Sequence, residues 1–341
     1  MKHINSGQRQ TPSVGIGESG EAYKWRKKFQ DIPRDIIILF FAFLVMCAIF
    51  AILKPQFLNL RNIINVLRQI AVVFVLASGQ TFVILSGGID LSQGSIVNLA
   101  SVVTADIVIQ YGVSWGVIAG LGAGTLCGVM SGLFVGKAKV QPFIATLGML
   151  FVASGGALVY TGGIAIFGLD KPAYQSFFWF GGGYMGPIPV PVIIAVAVLI
   201  ITYLLMYRMR FGRHVFAIGG NENVALVSGV NVVRTKILIF TMSAFAATMG
   251  GIILTSRILS GQPYLGGFKI LMESIASVVI GGTSLKGGEG GIFRTLMGAL
   301  FIGFLGNGLN LLGVSTFVQQ IVIGMIIILS VWLSVLRSRQ I

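Results

Sequence analysis

The run GVIAGLGAGTLCGVMSGLFVG, residues 116–136, carries no charged side chain and puts a glycine at 116, 120, 124, 128, 132 and 136. About 20 apolar residues in a helix cross the roughly 30 Å hydrocarbon layer of a bilayer. A glycine every fourth position lies along one helical face, where it lets a neighbouring backbone come close; in lipid such packing drives helix association. The stripe serves either a contact within the chain or one between subunits. A soluble helix would alternate apolar and polar faces instead.

Similar runs recur outward from this one across the 341 residues, of which 55% are hydrophobic and 10% charged, with a mean hydropathy of +0.91. Globular domains carry about 25% charged residues. The chain therefore reads as an all-α integral membrane protein, since barrel strands would appear as short alternating segments. Spans are expected near 36–53, 70–87, 93–111, 115–136, 142–162, 190–207, 236–256, 270–285, 293–312 and 316–336, about ten transmembrane helices within one membrane domain over 35–338. Glycines interrupt 70–95 and 270–291, so an eight-span version with a re-entrant hairpin is the other count. Residues 1–34, rich in Gly, Ser, Gln, Lys and Arg, read as a disordered basic cytoplasmic arm.

Ten spans put both termini in the cytoplasm and leave eighteen of the 24 lysines and arginines inside, as the positive-inside rule requires. The net charge of +14 thus reports topology. Basic residues scattered at span ends do not make a nucleic-acid surface. Two histidines and the cysteines Cys47 and Cys127, both in apolar runs, offer little for a metal site or thiol chemistry. GVSWG at 112–116 fits a serine-hydrolase pattern, but it falls in a short external turn with His214 across the membrane. The external stretch 163–189, with Phe177, Phe178 and Trp179, suits a headgroup belt or a docking surface for an outside partner.

Polar residues inside spans are few and therefore informative. Gly87 and Gly88 end the second span, and Asp90 is expected to N-cap the third through amide hydrogens of Ser92 or Gln93. The same break can act as a hinge or inner gate. Gln80, Asn98, Asn307 and Asn310 are either helix-to-helix bonds or pathway lining. GGIDLSQG at 87–94 also echoes GGTSLKGG at 281–288, in the manner of the internal repeats of transporters.

Between the sixth and seventh spans, residues 208–236 are too long for a turn and too polar for lipid. Asn221 can cap a helix, Glu222 suits its first turn and Gly229 can close it, so NENVALVSG reads as a two-turn docking helix. The chain has no GxxxxGK[ST] phosphate loop, so any ATP would be hydrolysed by a partner.

SGGIDLSQGS (86–95), QPFIATLGML (141–150), AIGGNENVALVSGVNV (217–232), IASVVIGGTSLKGGEG (275–290) and GFLGNGLNLLGVS (303–315) together resemble the permease subunits of bacterial ATP-driven monosaccharide importers, the ribose, xylose and galactose group. At 224–225 this chain has Val-Ala where relatives often carry two alanines. The resemblance implies an ABC importer permease fold in the bacterial inner membrane, two permease copies, and a pair of cytoplasmic ATPase domains that bind ATP and Mg. It also implies an extracytoplasmic sugar-binding protein. Gly219, Gly220, Asn221, Glu222, Ala225, Ser228 and Gly229 would form the ATPase-coupling helix and its approach, and the chain itself would bind no cofactor. The rival class is an ion-gradient-driven carrier of a small polar solute, which usually holds several mid-membrane charges.

Overall fold

The computed structural model describes residues 34–338, with side chains described for 36–332. The arm expected over 1–34 lies outside the described residues apart from Arg34. The chain runs α1 (Arg34–Leu53), a 3-10 turn (Pro55–Leu58), α2 (Leu60–Leu85), α3 (Gln93–Tyr111), α4 (Val113–Gly136) and α5 (Pro142–Thr161). The segment expected to lie outside then forms α6 (Gln175–Gly182) and a two-residue hairpin, β1 (Tyr184–Met185) with β2 (Ile188–Pro189). The rest is α7 (Val190–Tyr203) with a π turn, α8 (Arg210–Gly220), α9 (Glu222–Val227), α10 (Val232–Ile258), α11 (Gly267–Ile280), α12 (Ile292–Leu311) and α13 (Thr316–Ser338).

Eight helices among the described residues are long and apolar enough to cross a membrane, and Thr316–Trp332 is a shorter apolar one. With α11 they account for the ten segments expected. α2, α3 and α10 form the centre: 78% of α2's most apolar window is buried, against 6% for α1, which packs by one face only, through Phe50 and Phe43. The glycine stripe of α4 is spent inside the chain. Gly116 and Gly120 lie against Val108 and Thr104 of α3, and Gly128 and Gly132 against Ala244 and the Ile237 backbone of α10. A methyl group at any of these would collide with a neighbouring helix, so the close approach needs glycine.

Two expected spans are corrected. α2 starts at Leu60 rather than near 70, because the polar residues of its first turns find partners: Asn59 accepts from Arg61 N at 2.9 Å, and Asn62 exchanges two amide hydrogen bonds with Asn307 of α12 at 2.9 and 3.0 Å. The segment expected over 270–285 is α11, whose 14 residues extend only about 21 Å and cannot span. The chain before it descends along α3, where Gln262 N donates to Ser101 Oγ (3.0 Å) and Gly266 N donates to Asn98 Oδ1 (2.7 Å). α11 thus begins inside the membrane, with its non-helical approach buried in protein, where such backbone is tolerated.

The external aromatic residues divide. Phe177 is buried beneath α6, while Phe178 and Trp179 remain partly exposed. Gly181 of α6 sits against the backbone of Ile253 and Arg257, which ties the external segment to the end of α10.

Candidate functional site

α2 and α11 stop in the same way at the side where α8 and α9 lie. Gly88 N donates to Val83 O and Gly87 N to Ile84 O; Thr283 N donates to Val278 O and Gly282 N to Val279 O. Both are Schellman stops, with Gly87 (φ 81°) and Gly282 (φ 88°) in the left-handed conformation. The echo between the two stretches is real as a helix stop, but in a register shifted by one: residues 86–88 match 281–283. The chains then diverge, since 89–92 lead directly into α3 and 284–291 form a longer loop.

These stops carry the α8–α9 corner. Gly288 N donates to Leu85 O at 2.9 Å, and Gly219 at the end of α8 lies so close to Leu85 O and Gly288 N that no Cβ fits there. Gly287, with φ 88°, faces Gly219 and the amide of Gly87. Thr146 of α5 accepts from Leu91 N at 3.1 Å and lies 3.1 Å from Ile89 O. Four of the five quoted motifs therefore meet at this junction, and the fifth, 303–315, lies away from it with Asn307 on Asn62. Asn310 is exposed at the far end of α12.

α9 follows the local chemistry of its sequence. Asn221 Oδ1 accepts from Val224 N at 3.0 Å. Glu222 sits in the first turn, where a carboxylate is favoured by the helix dipole. Val230 N donates to Ala225 O and Gly229 N to Leu226 O, so Gly229 (φ 84°) closes a third Schellman stop. Ala225 is buried with Ile218, Val230 and Val232, which seats the helix. Gly220, Asn221, Glu222, Ser228 and Gly229 are exposed around it. Val224, Leu226 and Val227 are also exposed, Val227 at 85%. Sequence reasoning passed over these three, although a two-turn helix cannot bury apolar residues at 224, 225, 226 and 227 on one side. It also passed over Lys236 of α10, whose Nζ lies 2.7 Å from Glu222 Oε2.

The second cluster lies at membrane depth. Gln93 Nε2 donates to Leu76 O at 3.0 Å, two and a half turns above the end of α2, so α3 starts about 14 Å inside the Leu85 end of α2. Asp90 is not the N-cap. Ser92 precedes the helix in an αR conformation without a side-chain cap, because Asp90 instead closes a turn of its own, accepting from Ser92 N (2.8 Å) and Ser92 Oγ (2.6 Å) on Oδ1. Its other oxygen, Oδ2, accepts from Ser243 Oγ of α10 at 2.7 Å. Gln93 Nε2 donates also to Ser243 Oγ (3.0 Å), and Ser274 Oγ of α11 donates to Gln93 Oε1 (2.8 Å). Asp90 is 1% exposed and has no cationic partner among the described residues. Gly79 of α2, pressed on the Ser243 backbone, permits the α2–α10 contact that places this hydroxyl. Gln80 is fully buried, and neither of its amide atoms has a hydrogen-bond partner. No group of three or more His, Cys, Asp or Glu suited to a metal occurs among the described residues.

The chain is similar to known membrane permeases. The ribose import permease protein RbsC of Bacillus subtilis (strain 168) is 45% identical over 301 residues, covering 88% of this chain and 92% of that protein. The protein of the same name in Escherichia coli (strain K12) is 43% identical, covering 85% and 90%. The D-allose transport system permease protein AlsC of Escherichia coli (strain K12) is 37% identical, covering 88% and 91%. No solved structure matches. The expectation of a transport component rather than an enzyme agrees with these relatives, and the alternative of an ion-gradient-driven carrier does not. Residues 62–331 match the family described as branched-chain amino acid transport system / permease component, and the chain belongs to that family of multi-pass membrane permeases.

Proposed function

We propose that this chain forms the translocation pathway of an ATP-binding-cassette importer for a monosaccharide, a ribose-like pentose or a hexose. Relatives at 43–45% identity bear the name ribose import permease, and allose and fructose permeases lie at 37% and 36%. The observation that carries the reading is α9: a capped, two-turn helix on a three-way backbone junction, with Val224, Leu226 and Val227 turned outward. An exposed apolar tip on a rigid seat is a protein-docking element. Its partner is a cytoplasmic ATPase, which holds ATP and Mg. An extracytoplasmic binding protein delivers the sugar, so the permease needs only weak polar lining.

Two permease copies sit in the inner membrane with both termini in the cytoplasm and flank a shared cavity. Closure of the ATPase pair draws the two α9 helices together and tilts the spans to face the cavity outward; reopening reverses the tilt. Gly219 and Gly220 form the approach to the coupling helix, Asn221 and Glu222 its start, Ala225 its seat, and Ser228 and Gly229 its exit. The test is uptake of radiolabelled ribose, xylose, allose and fructose into proteoliposomes that hold the permease, its ATPase and its binding protein. Uptake that needs ATP and all three components is the expected result. Uptake by the permease alone under an imposed proton or sodium gradient would overturn it.

A further inference from the structure

The hydrogen bonds at membrane depth run in one direction. Ser274 Oγ donates to Gln93 Oε1, Gln93 Nε2 donates to Ser243 Oγ, and Ser243 Oγ donates to Asp90 Oδ2. A serine hydroxyl has one proton. Ser243 accepts from Gln93 and gives its one proton to Oδ2 of Asp90, so the chain of donors ends at the carboxyl group. The chain joins three elements: α11, the start of α3 and α10. All four side chains are buried, where such bonds are strengthened by the low dielectric and a missing partner is costly.

α10 also carries the other contact that matters. Lys236, which binds Glu222 of α9, and Ser243 are seven positions apart on one face of the same helix, about 10 Å along a rigid rod. We infer that Ser243, Asp90 and Gln93 are positioning residues that pass a displacement of α9, received by α10 at Lys236, to the short helix α11 and the broken start of α3. The inference rests on the importer reading above and assigns the break a transmission role. A cap would serve α3 alone; here the carboxylate holds α10, and through Gln93 it orders α11. Movement of α10 without these bonds would leave α11 behind, so hydrolysis would continue without its share of transport.

The experiment measures sugar transported per ATP hydrolysed by the complete reconstituted complex, with its recovery by size-exclusion chromatography. Asp90→Asn and Ser243→Ala each remove one link, and each should lower the ratio by about tenfold or more, the factor for leaving one buried polar group unsatisfied, while the complex is still recovered. The exchange of Asp90→Asn together with Gln93→Glu reverses the chain: the new amide donates to Ser243, and Ser243 and Ser274 donate to the new carboxylate. Leu76 O loses its donor, so the exchange should restore most, not all, of the ratio. Wild-type ratios in both single variants would overturn the inference, as would an exchange no better than Asp90→Asn alone. Failure of all three to assemble would also overturn it, by reducing the network to a structural role. A wild-type complex with no ATP-dependent uptake would instead remove the importer reading, and this inference with it.

Discussion

Gln80 is the residue whose environment least fits its chemistry. Its amide is enclosed near the C-terminal end of α2 with no partner on either atom, a burden of about 1–3 kcal/mol for an unsatisfied buried polar group. Gln80→Leu should therefore raise the thermal unfolding midpoint of the detergent-solubilised permease; a lowered midpoint would mean that the amide is satisfied in the native protein. Gly219 is the opposite case, fully explained by its contacts. Gly219→Val would push a side chain into Leu85 O and Gly288 N and cost about 1–3 kcal/mol of strain, with a lowered midpoint as the readout. Asp90 shows why a local motif misleads about its own role. The carboxylate does take the Ser92 amide hydrogen, but its second oxygen is claimed by Ser243, more than 150 positions away.

Among the elements, α9 separates stability from docking most cleanly. Gly229 adopts φ 84°, where an L-residue costs roughly 1–2 kcal/mol. Gly229→Ala should loosen the helix and reduce ATPase-coupled uptake. Val227, 85% exposed, should accept Val227→Asp with a change in stability within about 0.5 kcal/mol, yet lose the ATPase in co-purification; full retention would show that this tip is not the contact. α4 tests packing instead: Gly128→Leu places a large side chain against Ala244 and Phe240 O, so the permease should be recovered in much lower yield. Helix type and stops were legible because caps and glycines act locally. The half-length of α11 was not, because only the bonds to Asn98 and Ser101 of a distant helix reveal that its start is held at depth.

At the scale of the whole molecule, α10 links the α9 seat to the buried network and then to the external segment through Gly181. A displacement at the α8–α9 corner therefore has one continuous element along which to travel. Spin labels attached through Ser228→Cys, in a background with Cys47→Ala and Cys127→Ala, should report a shorter distance between the two copies in the assembled complex when ATP is bound. An unchanged distance would argue against closure of the α9 pair.

The sequence by itself determined the membrane class, the helices, the capped α9 and the family, because hydrophobic length, caps and glycine stops are local properties. Only the tertiary structure decided that the α4 glycines face α3 and α10, that α11 begins at depth, and that Asp90, Gln93, Ser243 and Ser274 meet. Those outcomes depend on which helices neighbour one another, and a buried polar group takes whichever partner that arrangement brings within hydrogen-bond reach.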